Sequence, residues 1–139
     1  MKKILMVVAV AALMVGCQTT KSTSLTVAEL YGKYNLVNFD SEVVQASERP
    51  MTIGFEPGVE GKVKVHGVLC NTFIGQAVLN QGKLTSDGLA STRMACFREK
   101  EAAMETALGD MFKTGATVKL KGPQLILEGS GHTFTYQKQ

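Results

Sequence analysis

The sequence predicts an α+β domain, a curved antiparallel sheet of about seven or eight strands, partly barrel-like, packed on one main α-helix. Three observations carry this. Short segments of period-two alternation recur along most of the chain, separated by turns rich in Gly, Asn and Pro. Residues 97–113 have helical periodicity, with Met104, Ala107, Leu108 and Met111 at i, i+3, i+4 and i+7. No strand–helix–strand rhythm is present, so neighbouring strands pair through short turns. A chain of 139 residues has room for one domain.

The first sixteen residues stand apart from that domain. Lys2 and Lys3 begin them, residues 4–15 are an unbroken apolar run, and Gly16 is a small residue at a cleavage position. This is the pattern of a secretory signal peptide, too short for a comfortable membrane span. Its removal takes Lys2 and Lys3, so the 15 basic residues fall to 13 against 12 acidic ones. No clustered basic face remains, which argues against a nucleic-acid partner. Met14-Val15-Gly16-Cys17 resembles the bacterial lipobox, with Met14 where Leu is commoner. The resemblance implies acylation of Cys17 and an anchor of more than one acyl chain, which stable attachment requires. Gln18 follows in place of the Asp that retains such proteins at the inner membrane. That implies the outer membrane, with the protein facing the periplasm. Ordinary cleavage, leaving Cys17 unmodified, is the alternative. Residues 17–24 continue as a small, polar, flexible tether.

The domain proper covers 25–139. Thr26 and Glu29 have capping-box spacing for a short helical turn that Gly32 ends. Residues 33–39 alternate, with Tyr34, Leu36 and Asn38 on one face and Val37 and Phe39 on the other. Residues 40–50 read as a polar loop containing Val43 and Val44, and 51–55 as a short strand closed by Pro57-Gly58. Residues 61–69 set Val63, Val65, Gly67 and Leu69 against Lys62, Lys64, His66 and Val68, as in a half-buried antiparallel strand. Segments 72–79 and 83–85 flank Asn80-Gln81-Gly82, where Asn and Gly can supply the positive φ of a tight hairpin. Residues 86–95 are irregular. The helix of 97–113 has Glu99 in its first turn, Lys113 in its last and Gly115 as a C-cap. Its Met-rich stripe reads as core filling the concave side of the sheet. Strands 116–121 and 124–128 meet at Gly122-Pro123. Gly129-Ser130-Gly131 turns into a last strand, 132–137, with Phe134 and Tyr136 on one face.

Cys70 and Cys96 remain once Cys17 is assigned to the anchor. An even pair in an oxidising compartment most often forms a disulfide, which here would stabilise by about 3–4 kcal/mol. Two buried free thiols acting as small hydrophobes are the alternative.

Residues 67–75 (GVLCNTFIG) and 89–96 (LASTRMAC) resemble the two motifs of the META domain, and within it the HslJ-like group of heat-inducible enterobacterial lipoproteins. The resemblance covers the chain from about residue 25 to 139. It implies a small curved antiparallel sheet on a helix, a link to envelope or heat stress and to novobiocin resistance, and no enzymatic mechanism. Asn71 suits left-handed or turn geometry with a bond to its own backbone. Gly75 suits a bulge or a close backbone approach, and Thr92 can bond amides of the loop before the helix. Packing alone does not ask for Arg93. Its guanidinium can fork onto a carboxylate or loop carbonyls, or meet a ligand. With Phe73, these are the candidate binding residues.

Chemistry is thinly signalled. His66 and His132 have no spaced partners, so no metal site is expected, and no cofactor fingerprint is present. His66 and Cys70 lie about 13 Å apart on one strand face, too far for a nucleophile pair. Glu99, Glu101 and Glu105 read as a solvated helix face. The expected function is therefore a non-enzymatic outer-membrane lipoprotein of the stress response, acting by binding an envelope protein or small molecule, or by support. A small periplasmic hydrolase or thiol enzyme is the alternative. An inhibitor or chaperone-like binder presenting the 86–94 loop is a third.

Overall fold

The computed structural model describes Gly16 and residues 24–45 and 48–139. Cys17 and nearly all of the signal and tether segments lie outside the described residues. Among the described residues two helices form, Val27–Leu30 (α1) and Glu99–Thr114 (α2). The strands are Gly32–Phe39 (β1), Glu42–Val43 (β2), Thr52–Pro57 (β3), Val63–Val68 (β4), Thr72–Asn80 (β5), Lys83–Thr85 (β6), Ala90–Ser91 (β7), Ala116–Lys121 (β8), Gln124–Gly129 (β9) and His132–Lys138 (β10). Eight of them run in the order β1-β3-β4-β5-β6-β8-β9-β10, and β10 pairs back onto β1. Every pairing is antiparallel. The expected curved sheet is thus carried to full closure, with β2 added beside β1 and β7 beside β5. Closure leaves no long edge for another chain to pair with. No helix among the described residues is long and apolar enough to cross a membrane.

Turn chemistry sets the registers. Asp40 and Ser41, Gln81 and Gly82, and Ser130 and Gly131 are successive pairs with positive φ. This is the backbone of two-residue turns whose twist matches the strands they join. Gln81, not Asn80, therefore takes the first turn position, and Asn80 ends β5 paired with Lys83. The stretch read as the 40–50 loop begins with a hairpin, in which Phe39 pairs with Glu42 and Asn38 with Val43. Asp-Ser is a weaker turn signal than Asn-Gly, so the hairpin does not stand out in the sequence. In β1 the alternation changes phase: a register shift between Leu36 and Asn38 admits an extra residue. Tyr34, Leu36 and Phe39 consequently share the interior, where strict alternation puts Phe39 outside.

An eight-stranded barrel has an interior just wide enough for side chains to fill. Tyr34, Ile53, Phe55, Val65, Leu125, Phe134 and Tyr136 fill this one. The Tyr34 hydroxyl donates to the Leu30 carbonyl at 2.9 Å, tying the interior to α1 at the end where β1 begins. Glu29 accepts from the Thr26 N–H at 2.6 Å and from its hydroxyl at 3.0 Å, and Leu30 is fully buried. Helix α2 serves the opposite end. It leads directly into β8 and buries Met104, Ala107, Leu108, Met111 and Phe112. It plugs a barrel mouth, its Met-rich stripe filling the concave side of the sheet as the sequence suggests. Gly115 has φ 116° and donates its N–H to the Met111 carbonyl at 2.8 Å, closing the helix as its position suggests.

Gly67 and Gly54 form a test pair. A Cβ on Gly67 would lie 2.2 Å from the Thr52 carbonyl oxygen and 2.5 Å from the ring of Phe73, its cross-strand partner. The atoms nearest to one on Gly54 all belong to the His66 ring, which can swing outward. Gly67→Ala is expected to cost about 2–3 kcal/mol and Gly54→Ala under about 1 kcal/mol, measured by urea unfolding of the two variants side by side.

Candidate functional site

At the mouth closed by α2, three segments distant in sequence converge on one cystine. Cys70 follows β4, Cys96 precedes α2, and a disulfide joins them with Cα atoms 5.9 Å apart. Asn71, next to it, is buried and bonds in every direction. Its Oδ1 accepts from the Met94 N–H at 2.7 Å and the Thr92 hydroxyl at 3.1 Å. Its Nδ2 donates to Glu105 Oε2 at 2.9 Å, and its backbone N–H donates to Glu105 Oε1. Its carbonyl accepts from the Leu69 N–H at 3.0 Å. Glu105 is therefore no part of a solvated helix face. It turns toward the barrel, and its Oε2 is 3.6 Å from Cys96 Sγ. Asn71, too, bonds across segments as well as to nearby backbone. A buried amide with its groups paired fixes geometry, because any partner left alone there carries a desolvation penalty.

The other motif residues divide. Phe73 points inward and its ring covers Gly67. Gly75 lets the 88–89 backbone come close, since a Cβ there would lie 2.7 Å from Leu89 and 3.1 Å from the Gly88 carbonyl oxygen. The Thr92 hydroxyl accepts from the Thr72 N–H at 3.1 Å, pinning the loop to β5. Arg93 is exposed, and no hydrogen bond or ion pair forks its guanidinium onto any described residue. His66 lies on the outer face of β4, 3.4 Å from Glu56, while the Cys70 thiol is spent in the cystine. The Sγ atoms of Cys70 and Cys96 and a Glu105 oxygen lie within 4.8 Å of one another, a donor cluster that counting histidines misses.

Beside this knot a cleft of about 680 Å³ opens between Gln45, Glu48, Arg49 and Met51 on one side and the start of α2 on the other. Its floor is Met51, Leu69 and Cys70, and its rim carries Glu48, Arg49, Arg98 and Glu101. Arg98 and Glu101 pair at 3.5 Å, and Arg49 donates to the Thr72 hydroxyl at 3.3 Å. Val43 and Val44 extend the wall, and Val43 stands exposed. Phe97, two residues before α2, is 95% exposed. Lys100 on the helix pairs with Glu42 on β2, tying the hairpin to the plug. The hairpin turn has its own anchor: Asp40 Oδ2 is 2.6 Å from His132 Nδ1, and Asp40 Oδ1 accepts from the Thr133 N–H at 2.9 Å. The His132 ring stacks on Phe39 with centroids 5.3 Å apart. The His132 hydrogen bond, then that from Thr133, holds the Asp40 carboxyl below its ordinary value.

The META domain family model matches residues 24–139. Over 138 residues the chain is 33% identical to the heat shock protein HslJ of Escherichia coli (strain K12), covering 99% of this chain and 96% of that one. An NMR structure at 30% identity superposes with a TM-score of 0.70 over 82% of this chain and 95% of the other. A second NMR structure, of a protein from Burkholderia xenovorans, is 22% identical and covers 81% of this chain and 86% of its own, with a TM-score of 0.58; it shares the fold.

Two predictions follow from the geometry. Asn71→Asp keeps the size but sets an anionic oxygen against Glu105, and is expected to cost about 2–4 kcal/mol in denaturant unfolding, against about 1 kcal/mol for Thr92→Val. Asp40 has a lowered folded pKa, so its stabilisation is present above the ordinary carboxylate pKa of about 4 and lost as pH falls through the folded value. The melting-temperature gap between the native chain and Asp40→Asn should accordingly be largest above about pH 4 and close in more acidic buffer.

Proposed function

The chain belongs to the META domain family, and on that premise we propose that it is a non-enzymatic, lipid-anchored protein of the outer membrane that works by binding at the cleft beside α2. The observation that carries this reading is the arrangement of the two barrel ends. The described chain enters through α1 at one end, and the cleft with its apolar floor and mixed-charge rim lies at the other. An acylated Cys17 would then hold the first end toward the membrane and present the cleft to the periplasm. Open, largely preformed concavities with an apolar floor and a few placed charges are what binding sites look like. The relative's name, heat shock protein, supports a role in envelope or heat stress, and tolerance to novobiocin belongs to the same proposal.

The rival reading as a thiol enzyme needs a free Cys70. Alkylation of the denatured, unreduced protein is expected to label neither Cys70 nor Cys96, and labelling of both would restore that reading. The binding proposal is tested in cells. A strain lacking the gene should lose heat or novobiocin tolerance and regain it with the native chain, but not with Arg98→Glu, a surface change expected to alter stability by under about 1 kcal/mol. Indistinguishable sensitivity of the deletion and parent strains would refute it.

A further inference from the structure

We propose that Cys70, Cys96 and Glu105 are the ligands of a site for a thiophilic divalent cation of the zinc class, closed by the disulfide and opened by two-electron reduction. Their donor atoms already lie within 4.8 Å of one another. A disulfide is neutral and asks for no carboxylate, yet Glu105 Oε2 is held 3.6 Å from Cys96 Sγ. It is held there by Asn71, whose backbone N–H donates to Oε1 and whose Nδ2 donates to Oε2 at 2.9 Å. Hydrogen bonding of this kind orients ligating carboxylates in metal sites. A second observation is access: Cys70 is among the residues lining the open cleft, and both cysteines are only half-buried.

The chemistry balances as follows. An external dithiol supplies two electrons and two protons; the Cys70–Cys96 bond breaks to two thiols and the dithiol becomes a disulfide. A divalent cation then replaces both thiol protons, which pass to solvent, and two metal–sulfur bonds form. Tetrahedral bonds of about 2.3 Å put the sulfurs about 3.8 Å apart. Side-chain rotation supplies that separation on a backbone with Cα atoms 5.9 Å apart. Two thiolates select a soft ion over magnesium or calcium, and water from the cleft completes the coordination.

The test uses the intact detergent-extracted protein, reduced by a phosphine without air and titrated with Co²⁺, then Zn²⁺. A sulfur-to-cobalt charge-transfer band should saturate at one equivalent and be bleached by Zn²⁺, and the unreduced protein should show none. Cys96→Ser should lose the band, and Glu105→Gln should keep it with affinity at least about tenfold weaker. Glu105→Asp, which keeps the charge but withdraws the oxygens, should show the same weakening and serves if the Gln variant does not fold. A reduced protein with native circular dichroism and no band overturns the proposal, as does unchanged affinity in the Glu105 variants. If reduction unfolds the chain, Zn²⁺ should restore its spectrum, and failure to do so overturns the proposal equally.

Discussion

Asn71 sits where the end of β4, the loop before α2 and the helix itself meet, and its amide serves all three. Oδ1 takes the Met94 N–H and the Thr92 hydroxyl, while Nδ2 and the backbone N–H take the Glu105 carboxylate. The disulfide fastens the same segments covalently through Cys70 and Cys96. These two ties do different work. The crosslink restricts the unfolded chain, and the hydrogen bonds specify one arrangement of the folded one. Together they fix how the helix enters the barrel mouth. The placement of Met104, Leu108 and Met111 in the core, and of Arg98 and Glu101 on the cleft rim, follows from that entry.

The plug leaves one side of the mouth open. On the side of β5 the loop is drawn in by Thr92 and by the approach that Gly75 permits. On the side of β2 the helix is linked through the Lys100–Glu42 pair, an exposed contact of the kind that contributes little stability. Between this weaker tie and the knot lies the cleft. Its hairpin wall depends on the Asp40–His132 contact and on the stacking of His132 over Phe39. The barrel staves form a rigid frame, and the cleft lies at the one junction built from short strands, loops and surface charges.

Most of the frame was legible in the sequence because its alternation is clean. In β4, β9 and β10 the inward residues Val63, Val65, Leu125, Leu127, Phe134 and Tyr136 fall where period two puts them. The helix stripe and the Gly115 cap follow from local rules in the same way. Three things were not legible. The bulge in β1 rests on its pairing with β10, nearly a hundred residues away, and no local signal marks it. The closing pair itself is a property of how many staves meet and how they twist, not of any one segment. Glu105 looks like its neighbours Glu99 and Glu101 on a helix surface, and only the position of Asn71 in space distinguishes it. The motif positions were readable as special, but their roles were not: Arg93, the residue that packing least explains, is exposed, with no fork onto a described residue.

The pairing of β1 with β10 also bears on how such a protein is made. Residues 34–39 find their partners at 134–138, so the first stave waits for the last, and contacts of that range form slowly. A nascent chain halted short of β10 would expose a β1 border with hydrogen-bonding groups unmet, the condition that invites aggregation. Release of the whole domain before it folds suits this topology better than stepwise folding during synthesis.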